Sequence, residues 1–496
     1  MKIVSGLLSI ALLPLLLGSG AAPSPYVRIL SLEAARSLGH GQLAFYLSSK
    51  NPRIAARAAL AIGRTKQAAG APLLIAHLQD PRTPVRALAV YGLGLLATGR
   101  ARRALIQATA DPRGAVRVAA LDALGRYEAA HRLPAPWKGF AVDALIERLV
   151  KDPSAIVRAR AAIALETFRD APQATRIAAA LADAATRDRS GEVREHAMWS
   201  IFRGFARRVG RGVLAAGLRD RDPEVSLQAI RAYGRTGDRA VIPALRPFLH
   251  AASWRIAEQA AQSIRQLEGK PLTANWRAIP AYVHLPPLRA DPLAGLPALP
   301  RSMQPGKLGA PQPNRASQGP VLLPSTAASM NGPASGPHPR VRIVTTKGEL
   351  YVMLYPEWAP LTVENFLNLA NRGFYDGDPW FRVVPDFVVQ TGAGPGSRDG
   401  NADAGYTIPA EENPLEQRSY VISMGLNYTN PPHAHAIRDS AGTQFYITLS
   451  PQYHLDRAFT VFGRVTGGFA VLSRLVESDR ILRVERVPDQ RFDRLP

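Results

Sequence analysis

The chain has 496 residues, more than one hydrophobic core usually takes, so two or more domains are expected before any motif is read. Lys and Arg number 61 against 39 Asp and Glu, and there is no cysteine, which excludes a disulfide framework and a lipidated cysteine. The charge is uneven: from Arg340 onward 16 basic residues stand against 18 acidic ones, so residues 1–339 hold 45 against 21.

Lys2 is followed by an apolar run, Ile3 to Leu17, and then by Gly18-Ser19-Gly20-Ala21-Ala22-Pro23. A positive start, a short apolar core and a small-residue exit are the parts of a secretory signal peptide, and the run is short for a membrane span. Residues 1–21 are read as a signal segment cleaved after Ala21, which predicts an exported, periplasmic protein with no other integral membrane segment. The alternative is an uncleaved segment that anchors the protein to the membrane.

Residues 22–272 repeat. Asn51-Pro52, Asp80-Pro81, Asp111-Pro112, Asp152-Pro153 and Asp222-Pro223 each open an apolar helical pattern, and Gly191-Glu192-Val193-Arg194 and Ser253-Trp254-Arg255-Ile256 fill the remaining places. Asp or Asn as N-cap with Pro at the first helical position is a helix start with a mechanism, since the side chain accepts orphan N–H groups and proline lacks a donor where none is needed. After Asp111-Pro112, the residues Val116, Ala119, Ala120, Ala123 and Leu124 fall on one helical face, and Gly125 is expected to close that helix. Each unit is too small to bury its own face, so the pattern predicts an all-α solenoid of about seven helix pairs. The recurring Val85-Arg86, Val116-Arg117 and Val157-Arg158 resemble short HEAT-like repeats, in which this arginine braces the neighbouring repeat.

Such a basic solenoid invites a nucleic-acid reading. Lysines number only eight and no basic stretch is interleaved with aromatic residues, so nucleic acid is not expected. A docking surface for proteins, or for anionic envelope components, fits better. From 273 to 339 the pattern dissolves: 14 of the 42 prolines lie between Pro280 and Pro339, which predicts a Pro-rich tether that leaves the two parts free of a fixed geometry.

Residues 340–496 open as a hairpin, with Val341 and Ile343 facing Leu350, Val352 and Leu354 across a Lys347-Gly348 turn. A helix follows, with Thr362 as expected N-cap and Gly373 as its stop, and strands are predicted over Tyr420 to Met424, Phe445 to Leu449 and Thr460 to Val465. A second helix is expected after Gly467-Gly468. Between these lies Trp380-Phe381-Arg382-Val383-Val384-Pro385-Asp386-Phe387-Val388-Val389-Gln390. The valines favour strand and Pro385 interrupts it, so Arg382 and Gln390 can converge above a floor that includes Phe387. A cation beside an apolar pocket suits an apolar substrate with a polar backbone.

That stretch, with Ala359-Pro360-Leu361-Thr362-Val363-Glu364-Asn365-Phe366, Gly442-Thr443-Gln444-Phe445-Tyr446-Ile447, His454-Leu455-Asp456 and Phe459-Thr460-Val461-Phe462-Gly463-Arg464-Val465, resembles cyclophilin-type peptidyl-prolyl isomerases in the bacterial style. The resemblance implies a closed antiparallel β-barrel capped by two helices, acting on proline-containing polypeptides without metal or cofactor. It implies that Arg382 is the catalytic arginine and that Gln390 and Gln444 hold the substrate backbone and help orient it. Phe387, Tyr446 and Leu455 match walls of the proline pocket, Val388 stands where the family usually has Met, Phe459 takes a ring position, and His454 replaces a Trp of eukaryotic members. Gly425 and Leu426 match the loop that supplies backbone hydrogen bonds to substrate.

Three departures stand out. Phe381 replaces a His, Arg457 replaces a Gly in the Leu-Asp-Gly turn, which matters if that turn needs φ > 0, and the stretch Gly425 to Ser440 is longer than its counterpart. That stretch carries Tyr428, Pro431, Pro432, His433 and His435, and two histidines alone are too few ligands for a metal site. The expected protein is an exported prolyl isomerase with a solenoid that docks proteins; the alternative is a non-catalytic module that grips proline segments.

Overall fold

The computed structural model describes residues 23–130, 139–270, 338–394, 406–428, 436–477 and 479–487. The signal segment, most of the Pro-rich tether and Pro431, Pro432, His433 and His435 lie outside them.

The N-terminal part is helical. Its helices are α1 (Pro25–Ala34), α2 (Gln42–Leu47), α3 (Pro52–Thr65), α4 (Ala71–Ala76), α5 (Thr83–Leu96), α6 (Ala101–Ala108), α7 (Gly114–Ala130) and α8 (Val142–Lys151). They continue as α9 (Ala155–Glu166), α10 (Ala174–Arg187), α11 (Gly191–Ser200), α12 (Arg211–Leu218), α13 (Pro223–Thr236), α14 (Ile242–Leu245) and α15 (Trp254–Glu268). From α2 onward each even-numbered helix packs on the odd-numbered one after it, and α3, α5, α7, α9, α11, α13 and α15 stack in chain order. Val116, Ala119, Ala120, Ala123 and Leu124 are buried as their spacing predicts. Gly125 does not end α7; it lies inside it against α9, where a Cβ would sit 3.4 Å from the Ala164 Cα. No helix among the described residues is long and apolar enough to cross a membrane.

Two Asx-Pro pairs cap as expected: Asn51 and Asp222 are N-caps, with Pro52 and Pro223 at the first helical position. Three do not. At Asp80, Asp111 and Asp152 the helix begins three residues later, and the carboxylate accepts from the backbone N–H of Arg82 (2.9 Å), Arg113 (2.8 Å) or Ser154 (3.0 Å). These turns precede the helix and free their carboxylates for a second role. Arg86 pairs with Asp111 (3.0 Å), Arg117 with Asp152 (2.7 Å), Arg158 with Asp188 (2.7 Å) and Arg194 with Asp220 (2.7 Å), each arginine reaching the next repeat. The same guanidinium groups donate to the carbonyls of Asp80, Asp111, Asp152 and Asp188 in their own turns. A planar five-donor group can bridge two turns in this way and an ammonium cannot.

The C-terminal part holds β1 (Arg340–Thr345), β2 (Gly348–Leu354), α16 (Pro360–Asn371), β3 (Arg382–Val384), β4 (Val388–Thr391), β5 (Val421–Met424), β6 (Phe445–Thr448), β7 (Val461–Gly467), α17 (Phe469–Leu472) and β8 (Ile481–Val487). One antiparallel sheet has the order β3-β4-β6-β5-β7-β2-β1-β8. Its core joins Val352, Ile422, Phe445 and Phe462 to Phe366 of α16. The expected closed barrel is not formed. The sheet is a curled half-barrel, because β3 is only three residues long and ends at Pro385, so it offers β8 no ladder; the isolated bridge Pro379↔Arg480 marks the seam. Thr362 is not the N-cap of α16 either. The helix begins at Pro360 after Ala359, and the buried Glu411 carboxylate accepts from the N–H groups of Leu361 (3.2 Å) and Thr362 (2.8 Å) and from the Thr362 hydroxyl.

The two parts are in contact, contrary to the free geometry expected of a tether. Arg64, fully buried at the end of α3, donates to the carbonyls of Glu412 (2.8 Å), Trp358 (2.9 Å) and Glu411 (3.1 Å) while pairing with Glu33. Arg160 of α9 meets Asp456 (3.2 Å) and Glu416 (2.5 Å), and Glu195 of α11 accepts from the Tyr453 hydroxyl (3.0 Å). Arg231 of α13 donates to Asp386 through Nε (2.8 Å) and to the Ser450 hydroxyl (2.7 Å). Buried charges of this kind are tolerable only when paired, so each arginine fixes the acceptor that faces it.

Candidate active site

The β3–β4 hairpin brings the expected pair together. Arg382 and Gln390 face each other in register, because the turn Pro385-Asp386-Phe387 reverses the strand between them. Asp386 has φ 56°, a left-handed backbone that Asp tolerates better than most residues. Arg231 donates to its carboxylate and carbonyl, and Gln452 Nε2 donates to the same carbonyl at 3.1 Å. The turn that aims Arg382 and Phe387 is thus clamped by a helix of the other part of the chain.

Arg382 Nη1 donates to Gln390 Oε1 at 3.3 Å, and Gln390 Nε2 donates to Gln444 Oε1 at 3.1 Å. The guanidinium carbon sits 5.3 Å from the Phe387 ring centroid, within cation–π range. Arg382 itself is exposed. Beside it Val388, Tyr446 and Phe459 are buried in one cluster, with Phe387, Leu426, Ala436 and Leu455 half-buried around them. The rings of Tyr446 and Phe459 meet edge-on at 5.8 Å. Gly425 donates its N–H to the Gln444 carbonyl at 2.7 Å, and a Cβ there would lie 3.0 Å from that of Gln444 and 3.3 Å from Gln390 Nε2. Glycine keeps the space the glutamine pair occupies.

His454 lies on the turn Tyr453–Leu455 and stacks on Phe387 at 6.0 Å. It also stacks with Trp199 of α11 at 6.5 Å. Desolvation by the surrounding protein, then the charges of Arg203 and Arg231, lower the proton affinity of its imidazole, although the residue keeps an exposed edge. The residues expected at the site are therefore neighbours: Arg382, Gln390 and Gln444 in one hydrogen-bonded chain beside Gly425; Phe387, Val388, Leu426, Tyr446, Leu455 and Phe459 in one cluster; and His454 stacked on Phe387. Trp199, Arg231 and Arg160, from the helical part, were not expected near it; a signal for such residues is a polar or bulky side chain inside an otherwise small, apolar helical face.

Of the departures, Phe381 is half-buried, and Asn427 and Ile437 pair at the base of the long loop, Ile437 N–H donating to the Asn427 carbonyl at 2.7 Å. Arg457 has φ 63°, so the turn does need a left-handed residue. A salt bridge to Asp122 of α7 and a hydrogen bond from Arg126 to the Arg457 carbonyl (2.6 Å) hold it there. Glu192, His196 and Glu416 lie close enough to share a metal ion, but Arg160 and Arg418 already take the Glu416 oxygens. Burial alone lowers the proton affinity of His196; Glu195 and Glu416 outweigh it and raise its pKa to about 9.

Residues 340–491 match the family model of cyclophilin type peptidyl-prolyl cis-trans isomerases, and residues 71–135 and 210–276 match that of HEAT repeats. Peptidyl-prolyl cis-trans isomerase B of Bacillus subtilis is 43% identical over 136 residues, 27% of this chain and 87% of that protein. A peptidyl-prolyl cis-trans isomerase of Synechococcus elongatus is 38% identical over 147 residues, 29% of this chain and 94% of that protein. A crystal structure of a cyclophilin type isomerase from Cryptosporidium parvum aligns with 31% of this chain and 99% of its own, at 23% identity and a TM-score of 0.28. The family model and these relatives place the C-terminal part among prolyl isomerases by class. The chain belongs to the cyclophilin-type peptidyl-prolyl cis-trans isomerases, through its C-terminal part.

Proposed function

We propose that this isomerase acts on X-Pro bonds of exported polypeptides, with Arg382 as the group that stabilises the twisted amide. The observation that carries the reading is the chain Arg382–Gln390–Gln444 at the mouth of the Val388, Tyr446 and Phe459 pocket. Amide resonance sets a barrier of roughly 18–20 kcal/mol, and uncatalysed exchange takes about 10–100 s. Millisecond turnover asks for about 6 kcal/mol of selective stabilisation. Twisting localises the lone pair on the proline nitrogen, and a guanidinium hydrogen-bonded there favours the twisted form over either planar one. Gln390 and Gln444 hold the substrate backbone, the rings hold the proline, and no step needs a nucleophile, metal or cofactor.

Export rests on the Lys2 to Ala22 pattern, and N-terminal sequencing of the protein recovered from a periplasmic fraction tests it: cleavage after Ala21 is expected. The helical part holds the isomerase domain in a fixed pose, and its exposed Phe45 and Ile156 offer contact points for a protein partner.

Exchange spectroscopy on a short Ala-Pro peptide tests the catalytic assignment. Arg382→Ala should lower kcat/KM by roughly 10²- to 10³-fold, as loss of a transition-state donor does, with circular dichroism unchanged. Near-parental exchange in Arg382→Ala refutes the assignment, and a parent that binds the peptide without exchanging it is a binding module.

A further inference from the structure

The strand β3 that carries Arg382 is three residues long and lies at one edge of the sheet, paired on one side only, with β4. So short a pairing is marginal by itself. Arg382 adds one long hydrogen bond, 3.3 Å to Gln390, and the contact of its guanidinium with the Phe387 ring. Its direction therefore depends on the turn Pro385-Asp386-Phe387, which sets both the pairing of the strand and the place of the ring.

That turn is held from outside the sheet. Asp386 is 2% exposed with a left-handed backbone, and its carboxylate and carbonyl both face α13. Arg231 donates to the carboxylate through Nε (2.8 Å), and to the carbonyl and the Ser450 hydroxyl through Nη2 (2.7 Å each). The Gln452 amide donates to the same carbonyl (3.1 Å) and to the Ser450 hydroxyl (2.8 Å). Arg231 is itself held, since Gln228 and Gln259 accept from it at 3.3 Å and the Phe202 ring centroid lies 5.5 Å from its guanidinium carbon. The ladder between repeats does not account for this arginine. Val85, Val116, Val157 and Val193 are each followed by the arginine that reaches the next repeat, whereas Val225 is followed by Ser226. The buried arginine of α13 comes later in the helix and meets the turn between β3 and β4. Arg64, by contrast, grips the carbonyls of Trp358, Glu411 and Glu412, none of which lies on the hairpin.

We infer that Arg231 is a positioning residue for isomerisation: from the helical part it holds the Asp386 turn, and through that turn it aims Arg382 at the prolyl bond. This rests on the reading of Arg382 given above. A guanidinium stabilises the twisted amide only from within hydrogen-bonding reach of the proline nitrogen, so a shift of about 1 Å at the hairpin is enough to slow the reaction. The helical part then does more than carry the isomerase domain; turnover depends on it.

The test measures exchange of a short Ala-Pro peptide by the full chain and its variants. Arg231→Ala should lower kcat by about 10-fold or more. Arg231→Lys should restore little of this, because the grip uses a planar fork. In an Arg382→Ala background the same Arg231→Ala change should lower the remaining kcat by less than about 2-fold, since a residue that acts through Arg382 has nothing left to aim. Arg117→Ala, whose lost partners all lie in the helical part, should keep a near-parental kcat. If Arg231→Ala does not fold, Arg231→Met combined with Asp386→Asn, which strands no buried charge, decides in its place. Near-parental kcat in the folded variant, equal losses in both backgrounds, or an equal loss in Arg117→Ala overturns the inference. A parent that turns over no peptide refutes the reading of Arg382, and hydrogen exchange then decides whether Arg231 holds the hairpin: the amides of 382–390 should lose protection in the Arg231 variant, and unchanged protection overturns it.

Discussion

Arg457 holds a backbone conformation in which glycine is at no disadvantage and other residues lose roughly 1–2 kcal/mol. The salt bridge to Asp122 and the hydrogen bond from Arg126 offset that cost. Arg457→Gly gives up the ion pair but relieves the strain, whereas Arg457→Ala gives up the pair and keeps the strain. Arg457→Ala should therefore melt below Arg457→Gly, and scanning calorimetry showing the reverse order rules out this explanation. At the pocket, Arg382→Lys should rescue little of the Arg382→Ala defect, because a point charge on a flexible stem cannot reproduce a planar fork held by Gln390. Peptide exchange rates for the two variants check this. Phe387→Ala differs in kind: losing the ring under the guanidinium and beside His454 should raise KM as well, read from the same titrations.

Among the elements, the ladder of arginines between repeats does more than the caps. Arg117 reaches the buried Asp152 with both Nε and Nη2 (2.7 and 2.9 Å), and removing it leaves that carboxylate only the more distant Arg148 (3.6 Å) and the Ser154 N–H. Arg117→Ala should cost about 1.5–3 kcal/mol, seen as a lowered denaturation midpoint with faster amide exchange in α7 and α9. Loss within 1 kcal/mol of that from an exposed arginine substitution such as Arg187→Ala contradicts the ladder. The apolar face at Val116 to Leu124 is legible because spacing alone decides which side of a helix is buried. The exact start is not legible: Asp111-Pro112 satisfies the rules for a cap and for a turn before the helix, and the partner that decides between them, Arg86, is 25 positions away. The same holds for α16, whose cap is Glu411 from a distant segment. The pocket was legible because Arg382, Phe387 and Gln390 lie on one hairpin whose pairing local sequence determines.

For the molecule as a whole, the docking of one part on the other was not legible, since Arg231 and Asp386 are 155 positions apart and a single sequence carries no sign of such a pairing. Its consequence is a pH dependence. His196 is raised to about 9 from 6.5, so its contribution is complete below pH 6.5 and is lost as pH rises through about 9. Lys66, lowered by burial from 10.5 to about 8, acts in the opposite sense across pH 8–10.5. The His196 contribution, about 3 kcal/mol, is therefore read as the difference between parent and His196→Gln, which should narrow from pH 6 to pH 10 in thermal melts. A difference independent of pH contradicts the buried, protonated His196. That the catalytic domain is seated on the helical part is tested most directly by cross-linking across Glu192 and Arg418, which form an ion pair between them. Because the chain has no cysteine, Glu192→Cys with Arg418→Cys presents one reactive pair, and a short bismaleimide followed by mass spectrometry reads their proximity. An intramolecular bridge in most molecules at low protein concentration is the predicted result; two independently modified thiols without a bridge would contradict it.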